Sequence, residues 1–349
     1  MKKQESLGRV LAALNGRSGD RPPVFDFLRN SDVIESVVGE SLTPANRREM
    51  TIRTINQMLD AVVADFPLPE DLRIEEKDGF RIEIARWTKQ IAGRPFATME
   101  ELSGWVKDQT NQYTGWGREL DDELDTMMAD FQRKRRQLPD TVLFWSFADV
   151  GLGSAYHVCG LDGLWQLAVE DADLLSQWLE VRCDRSIEQI KHLPRPELSP
   201  AAFVGEDIAH QGGLLFPPDW LRREFFPRLK NLVAAYHRRG IKVIFHSDGT
   251  LWDVMDDLVE CGIDGLHPVE AGMDLARLRR AYPSLVLIGG IDVGLLTFGT
   301  PSQIRQAVLA AIRAAGPSYM VGGSGDLEEG IPKENILAMW ETAWNGGGS

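Results

Sequence analysis

Short apolar runs, each followed by a polar or glycine-rich break and then a segment of helical period, constrain this chain more than any other feature. Eight such runs are candidate strands, at residues 23–27, 61–66, 142–147, 201–205, 243–246, 262–267, 286–290 and 319–322. Helical signals lie between them. Thr43-Pro44 reads as an N-cap with proline at the first helical position, and Thr98-Met-Glu-Glu101 as a capping box. Later helices are predicted at 161–192, 218–239, 251–261, 275–282, 301–315 and 333–344. Strands that alternate with helices pair in parallel through helical crossovers, and eight such units close into a (β/α)8 TIM-type barrel. A doubly wound open sheet is the competing architecture, but no G-x-G-x-x-G follows the first strand.

One stretch breaks the rhythm. Around Asp78-Gly79, residues 72–87 show partial alternation, which signals a hairpin. With the helices up to Gln137 they form an insertion, 72–137, between strands two and three of a single barrel domain spanning 1–349.

Composition narrows the function. The 349 residues carry 38 Lys and Arg against 52 Asp and Glu, a formal net charge of −14. That balance argues against nucleic-acid binding, which draws on Lys and Arg. The basic run 133–136 reads as the end of an acidic helix, matching the helix dipole. No run of about 18 apolar residues suggests a membrane span. The N-terminus reads as an amphipathic helix with Leu7, Val10, Leu11 and Leu14 on one face, not as a signal peptide. Three cysteines at irregular spacing fit neither a disulfide framework nor a zinc knuckle, so a cytoplasmic, reducing setting is expected. The closing Asn345-Gly-Gly-Gly-Ser349 reads as a flexible tail.

In parallel barrels the chemistry sits at the strand C-termini. Here those ends carry Asp26 and Arg29, Asp65, Asp149 and Tyr156, Glu206-Asp207, His246-Ser247-Asp248, His267 and Glu270, Asp292, and Asp326. Every strand end offers a carboxylate, and such a mouth repels itself unless a metal, a cationic ligand or shared protons relieve it. His246 and Asp248, two apart on a strand, share a face. They can ligate one zinc, manganese or iron ion, or form a hydrogen-bonded pair that shapes the mouth. The expected metal ligands are His246 and Asp248, with Glu270 or Glu206 next and zinc the first choice of metal. His192, His210 and His237 are expected to face solvent.

These residues add up to a resemblance to the uroporphyrinogen decarboxylase superfamily, in particular its methyltransferase-like branch. It is carried by Asp20-Arg21-Pro22-Pro23-Val24, Asp60-Ala-Val-Val-Ala-Asp65, Gly205-Glu206-Asp207, His246-Ser-Asp-Gly249, Gly265-Leu-His-Pro-Val-Glu270, Gly289-Gly-Ile-Asp292 and Ile331-Pro-Lys-Glu-Asn335. The resemblance implies a (β/α)8 barrel. It places Asp65 where the decarboxylases keep an essential aspartate and matches Tyr156 to their active-site tyrosine. Of the arginines that hold the porphyrin's acidic groups it leaves Arg29. In corrinoid-linked relatives a zinc is held by H-x-C and a distant cysteine. Here His246 matches the histidine, Asp248 stands at the cysteine position, and the distant position falls near Gly325.

Three readings follow. The first is methyl transfer between a small methylated substrate and a corrinoid carried by a partner protein. The second is cofactor-independent decarboxylation of a cyclic or aromatic acid, and the third a non-catalytic ligand-binding barrel. Asp65, Tyr156 and Asp292 are the expected catalytic residues, and Arg29, Glu206 and His267 the expected substrate contacts. A corrinoid protein and a second copy of the chain are the candidate macromolecular partners.

Overall fold

The computed structural model describes residues 2–112 and 118–346. Among them, eight extended segments close a parallel ring. A short segment at Val24 and Phe25 bridges Val321 on one side and Ala61 on the other. Ala61–Val63 pairs with Val142–Phe144, and Trp145 bridges Ala202. From there Ala201–Gly205, Lys242–His246, Gly265–Val269, Val286–Ile291 and Tyr319–Gly323 follow in sequence order, and the last meets the first. The fold is the α/β TIM-type barrel expected from the strand count.

Aromatic side chains fill the lumen. Phe25 of the first segment lies 5.8 Å from Phe144 of the third strand, 5.9 Å from Phe203 of the fourth and 5.2 Å from His267 of the sixth, ring centre to centre. A residue of one strand reaches non-neighbouring strands only across the inside of a closed barrel. At the lower end Asp60 accepts hydrogen bonds from the Val24 N–H at 3.0 Å, the Ser6 hydroxyl at 2.9 Å and the Arg21 guanidinium at 2.6 Å. This ties the N-terminal helix Lys2–Leu14 across the barrel floor, with Val10 and Leu14 buried and Leu7 and Leu11 at its exposed edge.

The departure from barrel rhythm is a three-stranded antiparallel meander, Arg73–Lys77, Phe80–Ile84 and Lys89–Gly93. Asp78 (φ 52°) and Gly79 (φ 80°) make the expected two-residue turn. The third strand goes beyond the expected hairpin. The helix Arg118–Gln137 leads directly into the third barrel strand, with Phe131 stacked 3.6 Å from Trp145. It is thus the crossover that a parallel pair needs, and the additional part is the meander with Met99–Gln112. The Thr98–Glu101 capping box forms with bonds of 3.1 and 3.2 Å.

Other boundaries shift for local reasons. Thr43 and Asn46 close a turn on each other, and the helix begins at Arg47. The predicted 161–192 helix is cut at Asp171, whose side chain caps Ala172–His192. The sixth strand starts at Gly265, because the residues before it finish the preceding helix, Gly262 donating to the Val259 carbonyl. The last helix runs from Lys333 to Asn345, and the tail residues 347–349 lie outside the described residues. No described helix is long and apolar enough to cross a membrane.

The ring closes where the first segment meets the eighth strand. Phe25 N–H donates to the Val321 carbonyl and Val321 N–H to the Pro23 carbonyl, both at 2.9 Å. A Cβ on Gly322 would stand 2.2 Å from the Phe25 carbonyl oxygen, so only glycine permits this approach. Asp26, fully enclosed, accepts from Gly323 N–H and Trp340 Nε1–H, each at 2.7 Å. Burial pushes its carboxyl up to about 7, from an ordinary value of 3.8. Between these values the folded chain holds a proton that the unfolded chain has released, so this group's contribution to stability falls as pH rises. We expect Asp26→Ala to cost roughly 2–4 kcal/mol in urea unfolding, because it orphans two buried donors. Asp26→Asn should flatten the fall in stability across that pH window. An unchanged slope would show that Asp26 titrates as an ordinary surface acid.

Candidate functional site

Because the strands are parallel and the ring is closed, their C-terminal ends surround one mouth. A cavity of about 1030 Å³ occupies one side and a second of about 440 Å³ the other; both are lined by Phe27, Asp207 and His246.

His246 ends the fifth strand, in register with Gly205 of the fourth and His267 of the sixth. Two residues further on, side chains return to the same face, so Asp207 and Asp248 reach the mouth together. The residue between, Ser247, turns into the wall, where its hydroxyl accepts the Ile208 N–H at 3.0 Å. The close passage of the two loops depends on Gly249 (φ 92°), where a Cβ would meet the His210 backbone at 2.4 Å. His246 Nε2 stands 3.5 Å from Asp207 Oδ1, which also accepts the Asp248 N–H at 3.0 Å. One ligand atom each from Asp207, His246 and Asp248 lie within 4.8 Å of one another. Enclosure in the mouth raises the Asp248 carboxyl above its usual range; His246 opposes this, and the charges of Asp207 and Glu270 add to it.

The structure brings most of the expected residues to the mouth but changes several roles. Asp65 is exposed and lines the smaller cavity with Tyr156. Burial, then the charges of Asp207, Glu206 and Asp248, push the Tyr156 hydroxyl well above its ordinary value, so it remains a proton-bearing donor. Asp292 lines the larger cavity while capping Val293–Phe298 through the Leu295 N–H at 2.6 Å. Arg29 lines the same cavity, paired with Asp326 at 3.0 Å. His267 forms its floor, with its Nδ1 2.8 Å from His246 Nδ1.

Two expectations need correction. Glu206 is not a substrate contact: it is 1% exposed and accepts the backbone N–H groups of Val150 (2.6 Å), Gly151 (2.9 Å) and Gly153. Its carboxylate pins the loop after the third strand, and burial, with Asp149 nearby, lifts its carboxyl up to about 8. Glu270 lies outside the group of ligand atoms within 4.8 Å of one another, and its Oε1 accepts the Gly249 N–H at 3.0 Å, bracing the turn that presents Asp248. Asp207 takes the place expected of these two. The i, i+2 rule that joins His246 to Asp248 also joins Gly205 to Asp207 and sends Glu206 to the opposite face, once the pairing of Gly205 with His246 fixes the phase of the fourth strand.

Among the described residues lining the two cavities, Arg29 is the one arginine or lysine. Arg86 of the meander region reaches Glu329 at 3.8 Å, and the side chain of Arg118 lies outside the described residues. Since Glu206 binds backbone and Asp207 faces the cavity, Glu206→Gln should lower the unfolding free energy by about 1–3 kcal/mol. Asp207→Asn should leave thermal stability nearly unchanged. Equal destabilisation by both would place Asp207 in the wall as well.

Comparison with known proteins agrees with this architecture. A family model described as "Uroporphyrinogen decarboxylase (URO-D)" matches residues 105–345. A uroporphyrinogen decarboxylase of Prochlorococcus marinus (strain MIT 9303) is 26% identical over 183 residues, 51% of this chain and 50% of that protein. One from Dichelobacter nodosus is 30% identical over 134 residues, 37% of each chain. The chain spans about half the length of the curated relatives first matched. Among solved structures, a methyltransferase from Methanosarcina mazei shares the fold with a TM-score of 0.68 at 18% identity, covering 97% of this chain and 98% of that one. With a family match over residues 105–345 and a closed eight-stranded barrel carrying its polar residues at the strand ends, this chain belongs to the uroporphyrinogen decarboxylase family.

Proposed function

We propose that this protein is a methyltransferase-type enzyme that moves a methyl group between a small methylated substrate and a corrinoid protein, with a divalent cation held by Asp207, His246 and Asp248. The reading takes residues 1–349 as one barrel-centred domain acting in the cytoplasm. The observation that carries it is the charge of the mouth. Among the described residues, Asp207, Asp248, Glu270, Asp292, Asp326 and Glu328 line the larger cavity against a single arginine, itself paired with Asp326. A porphyrinogen with many carboxylates would bring its charges to a surface of the same sign. Each carboxylate buried without a partner costs several kcal/mol, on the order of 3–5. A neutral or cationic methyl donor suits this field.

The donor set fits a hard or borderline cation. An imidazole nitrogen and two carboxylates are ligands for zinc or manganese. Ligand atoms about 3.5 Å apart suit bonds of roughly 2.1 Å to one ion, and the His246–Asp207 separation is 3.5 Å. When bound, such a cation supplies Lewis acidity toward the heteroatom that carries the methyl group. Asp207 and Asp248 balance its charge, and Glu270 and Ser247 hold the turn that aims Asp248. Phe27 and Phe203 wall the smaller cavity, where the Tyr156 hydroxyl can donate a hydrogen bond to the substrate and Asp65 faces it across the opening.

A second reading, decarboxylation of a cyclic or aromatic acid, is favoured by Asp65 and Tyr156 lining one 440 Å³ cavity. The two readings part in a direct assay. With a reduced corrinoid protein and a panel of methoxylated or methylamine donors, we expect corrinoid methylation that His246→Ala lowers by about 100-fold or more. With uroporphyrinogen we expect no coproporphyrinogen above background. Enzymatic coproporphyrinogen formation, or methylation indifferent to His246→Ala, would overturn the proposal.

A further inference from the structure

The floor of the mouth sets histidine against histidine. His246 and His267 are direct partners on neighbouring parallel strands, and their Nδ1 atoms stand 2.8 Å apart. At that distance one nitrogen carries a hydrogen and the other accepts it. The two rings differ in surroundings. His267 is 3% exposed and ringed by Phe25 and Phe203, each at 5.2 Å, and by Phe27 at 5.5 Å. Those apolar neighbours leave His246 Nδ1 as the hydrogen-bonding partner of its own Nδ1. His246 borders the cavity and turns its Nε2 toward Asp207.

We propose that His267 is a positioning residue: its Nδ1 accepts the His246 Nδ1–H, leaving the lone pair of His246 Nε2 directed at the space between Asp207 and Asp248. The inference rests on the metal reading of that cluster. An imidazole that ligates through Nε2 carries its hydrogen on Nδ1, and that hydrogen needs a buried acceptor to fix ring and tautomer. Carboxylates and backbone carbonyls often do this; here the partner at His246 Nδ1 is a second imidazole. The choice has an electrostatic reason. Asp207, Asp248 and Glu270 already face the site, and a carboxylate beneath His246 would add another buried negative charge, whereas a neutral ring accepts the bond without one. In a neutral, cation-free pair the bond can run in either direction. A cation on Nε2 sets it from His246 to His267.

The test uses the full chain and zinc alone, titrated against a chromophoric chelator, for wild type, His246→Ala, His267→Phe and His267→Asn. An asparagine Oδ1 can stand where Nδ1 stood and accept the same hydrogen, whereas phenylalanine fills the space and accepts nothing. We expect His267→Phe to weaken zinc binding by about 10- to 100-fold, and His267→Asn to restore it close to wild type. In zinc-loaded wild type, ¹⁵N spectroscopy should show His246 protonated at Nδ1. Zinc binding by His267→Phe equal to wild type would overturn the positioning role, provided His246→Ala binds weakly. So would a zinc-loaded wild type with the hydrogen of His246 on Nε2, a result that needs no variant to fold. If His246→Ala binds zinc as tightly as wild type, the underlying metal reading itself falls.

Discussion

The barrel depends on the seam where its first segment meets the eighth strand, a joint made in the ring by a single bridge. The first segment contributes only Val24 and Phe25 to the ring, yet it must bridge both Val321 and Ala61. Asp26 reinforces that seam by taking hydrogen bonds from the eighth strand and from the last helix at once. Glycine at 322 lets the two backbones meet. If the seam opened, Phe27 and Arg29 would leave the mouth, and the cavity that His246 and Asp207 face would lose a wall. Closure is what turns residues scattered from 27 to 331 into one surface.

Closure also crowds acids together, and the structure answers by giving most of them an occupation. Glu206 holds three backbone N–H groups of the loop after the third strand, and Asp292 caps a helix. Glu270 braces the Asp248 turn, Asp326 pairs with Arg29, and Glu329 takes bonds from Ser31 and Trp87. Asp207 and Asp248 are left beside His246. A carboxylate buried among backbone N–H groups, as Glu206 is, is part of the scaffold, while one that faces the cavity beside the His246 imidazole, as Asp207 does even while accepting the Asp248 N–H, is available for chemistry. This division, more than the raw number of acids, separates the wall of the site from its working face.

Much of this was legible in the sequence, and the failures have physical causes. The apolar runs announced the eight strands because buried parallel strands are apolar on both faces. His246-x-Asp248 was visible because alternation within one strand is local information. Choosing between Glu206 and Asp207 required the phase of the fourth strand, which the register of Gly205 against His246 supplies. The division of the 161–192 helix stayed hidden because Asp171 caps a new helix without interrupting the apolar period. His267 looked like a strand end before Pro268. Its contact with His246 belongs to the pairing of two strands, which no local pattern records.

The chemistry of the mouth turns on whether Asp207, His246 and Asp248 hold a cation together. The most direct measurement is anomalous diffraction from crystals of the protein grown with zinc, collected on both sides of the metal absorption edge. One peak is expected at the mouth, about 2.0–2.2 Å from His246 Nε2 and from a carboxylate oxygen of Asp207 and of Asp248, with His267 Nδ1 still bonded beneath. A mouth without an anomalous peak, with His246 Nε2 closed onto Asp207 in a direct hydrogen bond, would contradict that expectation.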